Sequence, residues 1–203
     1  MRLFLAVDID DGTRQAAAAW MRDVTERIGG QQGGRQAHLL REIKWVEAGN
    51  LHLTVHFFGH VDEARAGEIR RTLTASPLPT REFPLTIEGT GTFPPTGYAR
   101  AFWLGVKDDG QAFATLHRDV EARLATIGAQ EEADARPHVP HLTIGRVRTP
   151  SGALSRALRA ALTPAPATFG HFTVRDVTLY ESRLSPHGPT YVALDRVPLA
   201  RAV

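Results

Sequence analysis

Apolar and polar positions along this chain follow two periods, one for strands and one for helices, and the two alternate. Residues 2–8 read as a strand. Asp11 and Thr13 are placed to cap a helix running to about residue 28, with Ala17, Met21, Val24 and Ile28 on one stripe. Residues 29–41 are polar and glycine-rich and read as a loop, either a plain linker or a lid. Lys44-Trp45-Val46 is a short extended piece, and residues 50–58 form a strand. Asp62 opens a helix to about residue 74, with Ile69 and Leu73 inward, and Pro77 and Pro79 break it. A strand over 83–90, a Gly/Pro/Thr loop over 89–97 and a buried strand over 101–106 follow. Asp108-Asp109-Gly110 turns into a helix carrying Phe113, Leu116, Val120, Leu124 and Ile127 at helical spacing. After a charged loop over 129–137, residues 139–147 form a strand. Ser151 caps a helix that Pro164 and Pro166 stop; a strand over 172–181, a turn over 185–189 and a strand over 190–197 complete the pattern.

Strand, helix and strand recur in the same order in both halves, and two stretches explain why. His52-Leu53-Thr54-Val55 returns as His141-Leu142-Thr143-Ile144. Sliding the chain by 89 residues, the distance from His52 to His141, also sets Ala64 on Ala153, Arg70 on Arg159, Leu73 on Leu162, Thr74 on Thr163, Pro77 on Pro166 and Phe83 on Phe172. Asp62 falls on Ser151, both good caps. Between residues 52 and 83, nine of 32 positions match without a gap. Chance recurrence of a short His-x-Thr does not explain the shared offset of its flanks. A duplicated strand–helix–strand unit does. Two such units would pack about a pseudo-twofold axis and bring the two motifs into one site.

Strand alternation puts His52 beside Thr54 on one face, and His141 beside Thr143. Each pair offers an imidazole that titrates near neutrality next to a hydroxyl donor. Two histidines on opposite sides of a phosphorus suit acid–base chemistry on a phosphate, with the threonines holding its non-bridging oxygens. His56 shares the parity of His52 and is expected near the same cleft. His38, His60, His117, His171 and His187 read as surface or loop residues, and His138 as a rim residue between Pro137 and Pro140.

Composition narrows the classes. The 203 residues suffice for one large domain or two small lobes. There is no cysteine, which excludes a disulfide framework, a thiolate nucleophile and a Cys-based metal site. Two His with two Thr are poor zinc ligands, so no metal and no cofactor is expected. The formal charge of +2 is no nucleic-acid footprint, and only Lys44 and Lys107 are lysines. The N-terminus turns acidic at Asp8, too soon for a signal peptide, and no apolar run reaches the ~20 residues that span a bilayer, so a cytoplasmic protein without membrane contact is expected.

Two His-x-Thr motifs in this order, with their flanks, resemble the 2H phosphoesterase superfamily. More narrowly, the chain is similar to the RNA 2′,3′-cyclic phosphodiesterase family, also called LigT-like or 2′-5′ RNA ligase. The carrying residues are Arg2-Leu3-Phe4-Leu5-Ala6-Val7-Asp8, Lys44-Trp45-Val46, Asn50 to Gly59, Arg136 to Arg146 and Leu179-Tyr180-Glu181-Ser182-Arg183-Leu184. The resemblance implies an α+β fold: one domain over 1–203, bilobal and duplicated, with two antiparallel sheets, flanking helices and an active cleft between the lobes. It also implies metal-independent hydrolysis of an RNA 2′,3′-cyclic phosphate to a 2′-phosphomonoester, with reversible 2′-5′ joining. His52 would be the proton donor and His141 the proton acceptor. Thr54, Thr143 and Arg146 would bind the phosphate, although strict alternation turns Arg146 away from His141 unless a bulge or the strand end intervenes. Phe57, the counterpart of Arg146 in the repeat, is a candidate to stack on a base, or is simply core. Tyr180, Ser182 and Arg183 belong near the cleft or to packing. The partner is RNA bearing a 2′,3′-cyclic phosphate or a 2′-5′ linkage, bound by a monomer. Two alternatives remain: a phosphodiesterase for small cyclic nucleotides or ADP-ribose cyclic phosphate, and a non-catalytic RNA-end-binding module.

Overall fold

The structure, a computed structural model, describes residues 1–30, 37–129, 139–163, 165–186 and 188–201. In chain order it holds β1 (Arg2–Asp8), α1 (Asp11–Gly29), β2 (Ile43–Trp45), β3 (His52–His60), α2 (Glu63–Thr74), β4 (Leu78–Arg81) and β5 (Phe83–Phe93). Then come β6 (Ala101–Lys107), α3 (Ala112–Ala125), β7 (His141–Val147), α4 (Gly152–Leu162), β8 (Gly170–Val174), β9 (Asp176–Ser185) and β10 (Gly188–Ala200). Helices begin where the sequence supplies an oxygen for the first free amides. Asp62 accepts from the Arg65 N–H, and Ser151 from the Leu154 N–H. For α1 the cap is Asp10 rather than Asp11 or Thr13; the Thr13 N–H donates to it.

The strands form one sheet in the order β4-β10-β9-β1-β3-β7-β6-β5-β8, with β2 on the edge of β7. The α+β class holds. The two expected antiparallel sheets join edge to edge, because β3 meets β7 at the single pair Leu53↔Leu142. Three stretches differ from the sequence reading. Residues 78–81 form β4 despite Pro77 and Pro79, because β4 pairs only with β10 at the sheet edge, where a missing N–H is tolerated. The strand expected over 172–181 breaks at Arg175 into β8, which pairs with β5, and β9, which pairs with β1. β5 runs three residues further than expected, into the predicted loop, with a register shift around Gly89 (φ 73°). Of the loop expected over 29–41, residues 31–36 lie outside the described residues, while residues 37–42 form a 3-10 helix instead of a loop; of the loop expected over 129–137, residues 130–137 lie outside the described residues.

Alternation in β3 and β7 buries Leu53, Val55, Leu142 and Ile144 beneath the helices. Each contributes about 1.5–3 kcal/mol by leaving water, so a one-residue slip of either strand is strongly disfavoured. Both strands then break the alternation at the same place. Against β1, Leu5 pairs with His56 and Ala6 with Thr54, which leaves Val55 as an extra residue. Against β6, Phe102 pairs with Gly145 and Trp103 with Thr143, which leaves Ile144 extra. These are β-bulges, and a bulge inverts the parity of everything after it. His56 and Gly145 turn inward; Phe57 and Arg146 turn out.

Gly145 is needed where it stands, because an added Cβ would overlap the Phe102 ring. Gly145→Ala is expected to lower stability by about 1–3 kcal/mol, read as a lower urea midpoint at constant m-value. Gly49→Ala, where a Cβ meets nothing within 4 Å, should stay within about 0.5 kcal/mol of wild type. A Gly145→Ala midpoint equal to that of Gly49→Ala would contradict the bulge account.

Candidate active site

A cavity of about 370 Å³ opens on the sheet face opposite the helices, and His52, Thr54 and Phe57 of β3 line it together with His141, Thr143 and Arg146 of β7. All six site residues expected from the sequence are therefore brought together. The antiparallel register through Leu53↔Leu142 sets His52 across from Thr143 and Thr54 across from His141. Imidazole and hydroxyl thus alternate around a square whose centre is the joint between the two halves of the sheet.

Both rings are held the same way. His52 Nδ1 lies 2.8 Å from the Asn50 carbonyl, and His141 Nδ1 lies 2.8 Å from the Val139 carbonyl. A carbonyl only accepts, so each Nδ1 must carry the proton and donate it. That leaves Nε2 of each ring to change protonation state: a lone pair when neutral, a donor when charged. The carbonyl in each case belongs to the residue two positions earlier, just before the strand begins, so the motif orients its own histidine. Asn50 is in turn fixed by donating from Nδ2 to the Pro189 carbonyl at 2.9 Å. Arg14 donates to the carbonyls of Ala48 (2.7 Å) and Ile9 (3.1 Å), clamping the turn ahead of β3.

The walls around the two rings differ. Phe4 (centroids 4.8 Å apart) and the edge of Tyr191 (5.3 Å) flank His52. Burial lowers the His52 pKa below the ordinary 6.5, and Arg14 and His141 push the same way. The Asn50 carbonyl and Asp8 oppose that shift. Asp8 faces His52 across β1 and β3 and is held by donation from Tyr180 Oη at 2.7 Å and Thr178 Oγ1 at 2.9 Å. Burial and the bond to Asp8 push Tyr180 up to about 12, so it remains a donor. Around His141 stand Phe93, edge-on at 4.9 Å, and Trp103 at 6.5 Å.

Among the described residues three cations line the cavity, Arg2, Lys44 and Arg146, and no carboxylate does. The Arg2 guanidinium lies over the Phe57 ring, 5.0 Å from its centroid. Tyr191 is pushed up by burial, and Arg146 and Arg2 pull it down. Sequence reasoning missed Tyr191 as a site residue, since β10 reaches the cavity only through the sheet order. Arg2, Lys44 and Asn50 carried a signal, their place in family-like stretches, that was not turned into a role. Ser182 lines the cavity; Tyr180 stands behind it, and Arg183 turns to Glu181 at 2.8 Å.

His56 is a correction. It does not line the cleft: the Val55 bulge turns it inward, where it is 1% exposed and meets Glu121 of α3 at 2.5 Å. His38, His60 and His171 are exposed. His117 lies half-buried on α3 instead of in a loop. His138 and His187 fall outside the described residues. Among the described residues, no three His, Cys, Asp or Glu side chains converge as metal ligands.

The whole chain can be set beside known proteins. It is 34% identical over 197 residues to a Methanothermobacter thermautotrophicus protein named RNA 2′,3′-cyclic phosphodiesterase, covering 96% of this chain and 97% of that one. A protein of the same name from Archaeoglobus fulgidus is 33% identical over 191 residues, covering 94% and 96%. Among solved structures, TT0787 of Thermus thermophilus superposes over 98% of both chains with a TM-score of 0.72 and 25% identity. The family described as the 2′-5′ RNA ligase superfamily matches residues 18–185, and this chain belongs to it.

Proposed function

We propose that this protein hydrolyses 2′,3′-cyclic phosphate ends of RNA to 2′-phosphomonoesters, with His52 as general acid and His141 as general base. The observation that carries the reading is the pair of imidazoles sharing one cavity, each with Nδ1 tied to a carbonyl and Nε2 left to exchange a proton. The names of the relatives supply the substrate class.

The step balances as follows. A water gives a proton to Nε2 of neutral His141 and its oxygen attacks phosphorus. The bond from phosphorus to the 3′ oxygen breaks in line with the attack. That oxygen takes the proton from Nε2 of charged His52, leaving a 2′-phosphate and a 3′-hydroxyl. Thr54 and Thr143 donate to the non-bridging oxygens, and Arg146 offsets their charge. If a 5′-hydroxyl replaces water, the product is a 2′-5′ linkage, and its cleavage runs with the two roles exchanged. A burial-lowered His52 regains its proton as the phosphate anion binds, since the anion adds the opposite charge to those of Arg14 and His141.

Every group used here comes from one chain, which supports a single two-lobed domain over 1–203 acting as a monomer. No helix among the described residues is long and apolar enough to cross a membrane, and a cytoplasmic site of action is part of the proposal.

His52→Ala and His141→Ala are each expected to lower kcat on an RNA oligomer with a 2′,3′-cyclic end by about 10²–10⁴-fold, with EDTA leaving the wild-type rate intact. Undiminished turnover in either variant would sink the two-histidine mechanism. The pH dependence has a definite sign. Asp8 raises the His52 pKa, so Asp8→Asn should move one limb of the kcat/KM profile, and the His52 ring titration followed by NMR, to lower pH. An unmoved His52 titration would show that Asp8 does not act on that ring.

A further inference from the structure

Lys44 lines the cavity, yet ring opening as described makes no use of it. The element that delivers it is three residues long and firmly placed. Ile43 is buried, and the Trp45 ring meets Phe102 edge-on at 5.0 Å. Next to β2, the Val46 N–H donates to the Ile144 carbonyl at 3.0 Å, which is the residue the bulge leaves without a partner on β6. On its other side, the Arg148 N–H donates to the Glu42 carbonyl at 2.7 Å. β2 thus occupies the edge of β7 beyond Leu142, where β3 has departed.

This docking sets Lys44 directly opposite Arg146. Opposed residues in an antiparallel pair have Cα atoms about 5 Å apart with their side chains on the same face, and two like charges so placed repel. Among the described residues no carboxylate lines the cavity to separate them, and neither side chain has an ion pair there. Arg2, the remaining cation, already lies over Phe57. In the mechanism above the reacting phosphate is met by Thr54, Thr143 and Arg146, which leaves Lys44 with no anion assigned to it. An RNA end carries a second anion next to the cyclic phosphate: the phosphodiester on the 5′ side of the same nucleoside. A nucleoside 2′,3′-cyclic phosphate has none.

We propose that Lys44 is a second phosphate site, which takes the phosphodiester 5′ to the cyclic-phosphate nucleotide and thereby selects RNA ends over mononucleotides. This rests on reading the cavity as a cyclic-phosphate site.

The test compares two substrates that differ by that one anion: adenosine 2′,3′-cyclic phosphate with a free 5′-hydroxyl, and the same compound carrying a 5′-methyl phosphodiester. The wild-type protein is expected to favour the phosphodiester in kcat/KM by about tenfold, the size of one charge-assisted bond. Lys44→Gln should bring the ratio close to one, and Lys44→Arg should restore it. Log KM for the phosphodiester should rise less steeply with log salt in Lys44→Gln than in the wild type, because one screened charge pair is gone. A wild-type ratio of one, a ratio that survives in Lys44→Gln, or equal losses on both substrates would overturn the subsite while leaving the activity standing. Hydrolysis of neither substrate by the wild-type protein would overturn the activity itself, and the subsite with it.

Discussion

One extra residue in each of two strands, Val55 in β3 and Ile144 in β7, decides what the cavity contains. Up to the bulge, each strand shows the cavity a histidine and a threonine and buries the residues between them. With unbroken alternation, the next residues on that face would be His56 and Gly145, and the Arg146 guanidinium would be driven into an apolar interior. An unpaired charge there costs several kcal/mol. The bulge reverses this and places Phe57 and Arg146 beside the motif residues. The inward positions are then met in two different ways. Gly145 presents no side chain to the Phe102 ring, whereas His56 is large and polar and is satisfied by Glu121. The Ile144 carbonyl, stranded by the bulge, is taken up by the Val46 N–H, so the same irregularity that aims Arg146 also docks β2.

Equal backbones carry unequal surroundings. Each motif fixes its own histidine tautomer through the carbonyl two residues back, so strand geometry alone makes the two rings equivalent. What separates them is brought by other strands. Phe4, Tyr191 and the Asp8–Tyr180–Thr178 group surround His52, while Phe93 and Trp103 stand by His141. In the proposed mechanism the direction of proton transfer would therefore be set by the walls, contributed by β1, β9 and β10 on one side and by β5 and β6 on the other. A repeat read along the sequence carries no information about it.

The same distinction separates what was legible in the sequence from what was not. The offset of 89 residues located His52, Thr54, His141 and Thr143, because an identity between two strands at matching places is local information. The caps Asp62 and Ser151 were legible for the same reason. Strict alternation then failed at His56 and Arg146, since Val55 and Ile144 are ordinary β-branched strand residues and nothing in their chemistry announces a bulge. Identity also misled beyond the helices. Phe83 and Phe172 match at the common offset, yet they lie on β5 and β8, which pair with each other. Pro77 and Pro79 marked a break, and only the position of β4 at the sheet edge makes a strand there tolerable. Tyr191 reaches the site through sheet order, which no window of sequence encodes.

The joint between the halves of the sheet is narrow, and it lies where the chemistry would be most sensitive to movement. Leu53↔Leu142 is the only pair linking β3 to β7, and all four motif side chains flank it. A hinge there would change the distance between the two rings, and proton transfer tolerates little misplacement. The rest of the fold opposes such a hinge by crossing over it. α1 follows β1 but packs on α4 and β8, while α3 follows β6 but packs on α2, β3 and β4. β5 leaves the first half of the chain to sit between β6 and β8, and β9 returns from the second half to sit between β1 and β10. Each half of the sheet is therefore held by elements whose connections begin in the other. The weak hydrogen-bonded joint is braced by covalent crossings and by the buried faces of four helices. This is how a cavity between two half-sheets keeps two imidazoles at a fixed separation before any substrate arrives.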